Sequence, residues 1–172
     1  AEIAAAGAQV VLLEMESQPG YHATGRSAAM YEPCEGVALV RALTHASHGF
    51  FSSPPDGFAD VPLLSPRGVL MLGYEGDERL IADAKRNGFA EADAAFARSK
   101  LPLVKLDGAI AILWDEQAQD IDVDALHAGR LRALRRAKGD VVTDAAVRCG
   151  ARAGNIWRIE AGASTFEVPT IV

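Results

Sequence analysis

The chain has 172 residues, 49% hydrophobic and 23% charged. That is a globular composition, and it excludes a disordered chain, a collagen-like repeat and a disulfide scaffold. Its 17 Lys and Arg against 23 Asp and Glu leave a formal charge of −6, so it offers no basic stripe to nucleic acid or to an anionic membrane.

The chain opens Ala1-Glu2-Ile3-Ala4-Ala5-Ala6-Gly7, which reads as the end of a helix with Gly7 as a left-handed cap. It has neither the basic start nor the apolar core of a signal peptide. Gln9 to Glu14 reads as a buried parallel strand ending in an acid. Residues 15–25 form a loop punctuated by Pro19, Gly20 and Gly25, and Arg26 to Met30 a short helical turn. Residues 36–51 have Val37, Val40, Leu43, Ser47 and Phe50 along one helical face, and Ser53-Pro54-Pro55-Asp56-Gly57 ends that helix.

Val69 to Tyr74 is a predicted strand, Gly76 to Asn87 a helix closed by Gly88, and Ala90 to Lys100 another helix. Ala109 to Trp114 is a predicted strand. Val123 to Lys138 is the clearest helix, with Val123, Leu126, Leu131 and Leu134 on its apolar face. Acids at its start and bases near its end suit the dipole, and Gly139 caps it. Short strands follow at 140–143, 146–149, 156–160 and 164–168, with turns at Gly154 and Gly162. Thr170-Ile171-Val172 reads as a further strand, cut short. Strands mixed with helices give an α/β or α+β class with a mixed sheet. No apolar run reaches the roughly 18 residues of a membrane span.

Two segments carry chemistry. A carboxylate at the end of a strand, such as Glu14, suits vicinal ribose hydroxyls because it accepts from both; the alternative is a solvated strand end. In Thr24-Gly25-Arg26-Ser27, hydroxyls, accessible backbone and a guanidinium suit a diphosphate, and Ala28 and Ala29 leave room for a flat ring. The alternative there is an exposed turn.

Val10-Val11-Leu12-Leu13-Glu14 followed by Gln18-Pro19-Gly20-Tyr21-His22-Ala23-Thr24-Gly25-Arg26-Ser27-Ala28-Ala29 resembles the FAD-dependent D-amino acid oxidase superfamily. Within it, the sequence is most similar to bacterial D-amino acid dehydrogenases of the D-arginine type. Pro62-Leu63-Leu64-Ser65-Pro66-Arg67 and Asp120-Ile121-Asp122-Val123-Asp124-Ala125-Leu126-His127 extend the resemblance over nearly the whole chain. It implies a Rossmann-like FAD-binding domain over 1–67 and 116–172, with part of an inserted substrate-binding domain over 68–115. Glu14 would bind the adenosine ribose with Met15 beside it. Thr24, Gly25, Arg26 and Ser27 would line the pyrophosphate and ribityl chain, Ala29 and Met30 would approach the isoalloxazine, and Val147 would reach the adenine region through its backbone. The implied activity takes a hydride from the α-carbon of a small amine or amino acid to FAD, and the imine then hydrolyses. A 2-hydroxy acid or glycerol-3-phosphate dehydrogenase, and a non-catalytic remnant that binds no flavin, stay open. The implied partner is a small-molecule substrate, with no nucleic acid and no membrane.

The departures from the family pattern shape these expectations. The GxGxxG loop and its strand do not precede Glu14, relatives carry about a dozen more residues near Leu106-Asp107-Gly108-Ala109, and the substrate-anchoring second half is lacking. The expectation is therefore a fragment, inactive by itself, of a protein about twice this length. Relatives that prefer basic D-amino acids carry an acid near Val69 and a His at Met30; the residues here argue against D-arginine.

Other constellations have plainer readings. His45 and His48, three apart, fit a surface helix better than a metal site. Asp120, Asp122 and Asp124 lack the Gly and acid of a calcium loop and read as helix capping. Ser27 is not in a nucleophile elbow. Cys34 and Cys149 form neither a framework nor a CxxC pair, suit a reducing, cytoplasmic setting, and read as small core hydrophobes.

Overall fold

The first turn of chain is α1 (Glu2–Ala5), closed as expected at Gly7. The Gly7 N–H donates to Ala4 O and the Ala8 N–H to Ile3 O, which is the paired Schellman closure around a residue at φ +95°. The computed structural model describes all 172 residues and divides them into two compact units. One comprises Ala1–Ser27, Gly57–Asp60 and Val123–Val172, the other Ala28–Asp56 and Val61–Asp122. The class is mixed α/β, as predicted.

In the first unit, β1 (Val11–Leu13) pairs in parallel with β8 (Asp140–Val142). The expectation of a buried strand needs correction: Val11 is 41% and Leu12 38% exposed. β1 is hydrogen-bonded on one edge only, and of its side chains Leu13 is the one packed into a core. α5 (Val123–Arg136) precedes β8. Its closure also differs from expectation: Lys138, not Gly139, takes the left-handed position at φ 61°. The N–H groups of Lys138 and Gly139 donate to Arg135 O and Leu134 O. Gly139 is needed for a different reason, since a Cβ there would lie 2.2 Å from Leu134 Cδ1. β9 (Val147–Ala153), β10 (Ile156–Ala161) and β11 (Ser164–Val168) form an antiparallel meander. Trp157, Ile159 and Ala161 of β10 turn one face to a core shared with Ala145, Val142, Leu13 and Phe166. Residues 170–172 form no strand, contrary to expectation, and Cys149 in β9 is exposed rather than a core residue.

The second unit holds two three-stranded sheets. β2 (Met30–Tyr31), β7 (Gln119–Ile121) and β3 (Leu64–Pro66) form one, with β7 central and antiparallel to both neighbours. Sequence periodicity does not reveal these strands: each is two or three residues long and exists through pairing with distant chain. Arg26 to Met30 is accordingly not a helical turn. The turn lies earlier, as one 3-10 turn at Thr24–Arg26, and Met30 is extended. Asp120 lies in β7, where its Oδ1 takes a hydrogen bond from Arg67 Nη1 at 2.6 Å, so it is no helix cap. β4 (Val69–Gly73), β6 (Ala111–Asp115) and β5 (Ala90–Glu91) form the other sheet, again with the strand latest in the chain at its centre.

α3 (Glu78–Asn87) packs Ile81 and Ala84 against Leu113 of β6, with Met71, Phe89 and Ala111 around them. Ile81→Val removes one methylene from this cluster and should cost about 0.5–1.5 kcal/mol, read as a shift in the urea midpoint without a change in slope. α4 (Ala94–Lys100) starts after β5, its N-cap Asp93 accepting the Phe96 N–H. α2 (Ala38–Ser52) forms where predicted, but it buries none of its residues. Val37, Leu39, Val40 and Leu43 are all exposed. His48 bonds Ser52 Oγ and leans on the Tyr31 ring at 5.3 Å. No helix is long and apolar enough to cross a membrane.

Candidate functional site

Glu14 follows β1, where its backbone is locked at the carboxyl end of the parallel pair. Its N–H donates to Val142 O at 2.9 Å and its carbonyl accepts from Ala145 N–H at 2.8 Å. Its Oε1 accepts the Glu16 N–H at 3.0 Å, which fixes the carboxylate's direction and leaves the other oxygen open to a ligand.

The chain then folds into a self-bonded loop. The Gly25 N–H donates to Gly20 O at 2.7 Å, and the Ser27 N–H to Thr24 O at 3.4 Å. Arg26 lays its guanidinium 5.2 Å from the Tyr21 ring centroid and donates from Nε to Tyr21 O. His22 Nε2 meets Glu16 Oε1 at 2.7 Å. Gly25 has no room for a side chain, since a Cβ would lie 2.4 Å from the Gly20 carbonyl oxygen.

Between this loop and α5 lies a cavity of about 300 Å³, with Leu12, Glu14, Gly20, Thr24, His127 and Arg130 on its wall. That is the lower end of ligand-pocket size, roughly 300–1,000 Å³. Glu14 and Thr24 are thus brought onto one cavity. Gly25, Arg26, Ser27, Met15 and Val147 are not among its lining residues; Met15 and Val147 are 57% and 58% exposed. His127 and Arg130 are wall residues that sequence reasoning missed. The signal that could have found them is the helical spacing 127, 130, 131 and 134, which puts them on one face with Leu131 and Leu134.

Ala29 and Met30 belong to the second unit. Ala29 O accepts the Ile121 N–H at 3.0 Å, anchoring the segment to β7. Met30 lines a separate cavity of about 420 Å³ with Tyr31, Glu32, Glu35, Leu43 and Phe51. Burial pushes the Glu32 carboxyl up to about 7, helped by its hydrogen bond to Glu35, the charge of Glu35 and that of Asp115, while Arg67 opposes. Cys34, buried beside Asp115, has its thiol pushed up to about 11, by burial first.

A carboxyl raised on folding favours the folded state below its unfolded value. That contribution is lost as pH rises from about 4.5 to about 7. Glu32→Gln in the complete protein should therefore flatten the fall in stability across that window, measured as urea midpoints at a series of pH values.

The family model of the FAD dependent oxidoreductases, DAO, matches residues 1–172. The chain belongs to this family.

As a DAO-family chain it shares its fold with glycine oxidase from Geobacillus kaustophilus at a TM-score of 0.76 and 14% identity, covering 98% of this chain and 49% of that one. L-proline dehydrogenase from P. horikoshii matches at 0.73 and 15%, covering 96% and 46%. L-α-glycerophosphate oxidase from Mycoplasma pneumoniae, solved with FAD bound, matches at 0.66 and 13%, covering 90% and 44%. The DAO chain thus spans about half the length of these structures. Its cofactor is FAD, and the first unit's cavity fits part of one. It has a carboxylate oriented at the end of a parallel strand, a hydroxyl at Thr24 and a glycine loop too tight for side chains.

Proposed function

We propose that the complete enzyme oxidises a small amine or amino acid at its α-carbon, passing the electrons to FAD. FAD supplies the hydride-accepting ring; the residues of this chain hold and orient it. Glu14 takes the adenosine ribose hydroxyls, with Met15 beside it and the Val147 backbone toward the adenine. Thr24, Gly25, Arg26 and Ser27 follow the pyrophosphate and ribityl chain, and Ala29 and Met30 approach the ring. Residues 1–67 and 116–172 act as FAD-binding domain and 68–115 as part of a substrate domain. The latter reading is supported by a sheet, β4-β6-β5, complete within 68–115.

The observation that carries the amine reading is that two carboxyls, Glu32 and Glu35, line the same cavity as Met30. Two carboxyls there favour a cationic amine and repel a phosphate dianion. The names of glycine oxidase and L-proline dehydrogenase, similar in fold, agree with this reading. That of the glycerophosphate oxidase favours a second one, oxidation of a C–OH bond in a 2-hydroxy acid or glycerol 3-phosphate. Assaying the full-length protein with an artificial electron acceptor against amino acids, N-methyl amino acids, hydroxy acids and glycerol 3-phosphate separates the two. Turnover of amines supports the first reading, and turnover of alcohols alone overturns it.

A further inference from the structure

A side chain of α5 packs on the loop that carries Thr24. A Cβ placed on Gly20 would meet three atoms of the His127 ring, Cε1 at 2.9 Å, Nδ1 at 3.2 Å and Nε2 at 3.3 Å. The imidazole therefore lies directly over the Gly20 α-carbon. Gly20 sits at φ +85°, a conformation open to glycine at little cost, and the absence of a side chain makes room for the ring. The Gly20 carbonyl in turn accepts the Gly25 N–H at 2.7 Å, and that bond closes the six-residue turn from which Thr24 faces the cavity. His127 is itself a wall of that cavity. Of the loop's other side-chain bonds, that from Arg26 to Tyr21 stays within it, and that from His22 reaches Glu16, whose carbonyl accepts the Asp144 N–H at 3.0 Å.

We infer that His127 is a positioning residue for the cofactor loop: its ring, packed on Gly20, sets where the Gly20–Ser27 turn stands and hence where Thr24 meets FAD. The role is one of ring packing rather than of charge, because no ion pair or hydrogen bond joins the imidazole to Gly20. The part that concerns FAD rests on the function proposed above.

The test compares His127→Ala and His127→Phe in the full-length protein by two readouts. The first is the FAD dissociation constant from flavin fluorescence. The second is tryptic cleavage after Arg26 in the apo protein, followed by mass spectrometry. Removing the ring should raise the dissociation constant about fivefold and speed cleavage after Arg26 by a similar factor, whereas Phe, which keeps a flat ring over Gly20, should stay within about twofold of wild type on both. Cleavage and affinity both unchanged in His127→Ala overturn the inference, and so does a Phe variant as impaired as the Ala variant. Should wild type bind no FAD at all, the proposed function fails. Accelerated cleavage in His127→Ala alone then still supports the packing role, and unchanged cleavage overturns it.

Discussion

Glu14→Ala in the complete enzyme should raise the FAD dissociation constant by about ten- to a hundredfold, measured by equilibrium titration of the apo protein. Hydrogen bonds to a charged acceptor contribute about 1.5–3 kcal/mol net, and each 1.4 kcal/mol is tenfold. The carboxylate is costly to lose because it is already aimed. The Glu16 N–H holds Oε1, and bonds from the Glu14 main chain to Val142 and from Ala145 fix the residue at the end of β1. Binding therefore spends little on ordering this group. Glu14→Gln keeps one oxygen acceptor and the packing while losing the charge, so its dissociation constant should fall between wild type and Ala. An Ala variant that binds FAD as tightly as wild type would remove Glu14 from the site.

Gly25→Ala should be damaging by a steric route. The added methyl would stand 2.4 Å from the Gly20 carbonyl oxygen, a backbone atom that cannot swing aside as a side chain end does. The loop must open, and the hydrogen bond from the Gly25 N–H to the Gly20 carbonyl breaks first. Overpacking of this kind costs about 1–3 kcal/mol, and here it falls on the turn that presents Thr24. The expected result is a lowered FAD affinity, with apo-protein unfolding shifted by no more than that amount. Gly139→Ala would push Leu134, another wall residue of the cavity. Its clash is with a flexible leucine end as well as with backbone, so the milder effect is expected there.

Much of the architecture is legible in the sequence where local pattern and tertiary packing agree. Trp157, Ile159 and Ala161 alternate along β10 and point to the core they fill. α5 runs where its apolar face and charge order place it. What escapes is decided by distant partners. β2, β3 and β7 exist because Met30 pairs with Asp120 and Leu64 with Ile121, and two or three residues carry no period of their own. At the end of α5 the rule that glycine takes the left-handed position fails, because the missing Cβ is needed one residue later, against Leu134. Val11 and Leu12 look like buried strand residues by composition, yet they are exposed beside a single neighbouring strand.

The candidate site divides the same way. Glu14 at a strand end and Thr24 in a glycine loop are readable as residue types suited to a nucleotide, and the fold places both on one cavity. His127 is visible in the sequence only as a helical position. Its approach to Gly20 depends on how α5 lies against the loop, which no spacing within either segment encodes. Glu32 likewise acquires its chemistry from burial, from Glu35 and from Asp115, which β6 supplies from far along the chain.

The central claim is that the fold over these residues is one half of a working FAD site. The most direct measurement is the visible spectrum of the full-length protein, purified and then incubated with FAD and desalted. The account predicts a bound-flavin band at roughly 450 nm at about one FAD per chain, weakened on Glu14→Ala. A protein that stays colourless after reconstitution would contradict it.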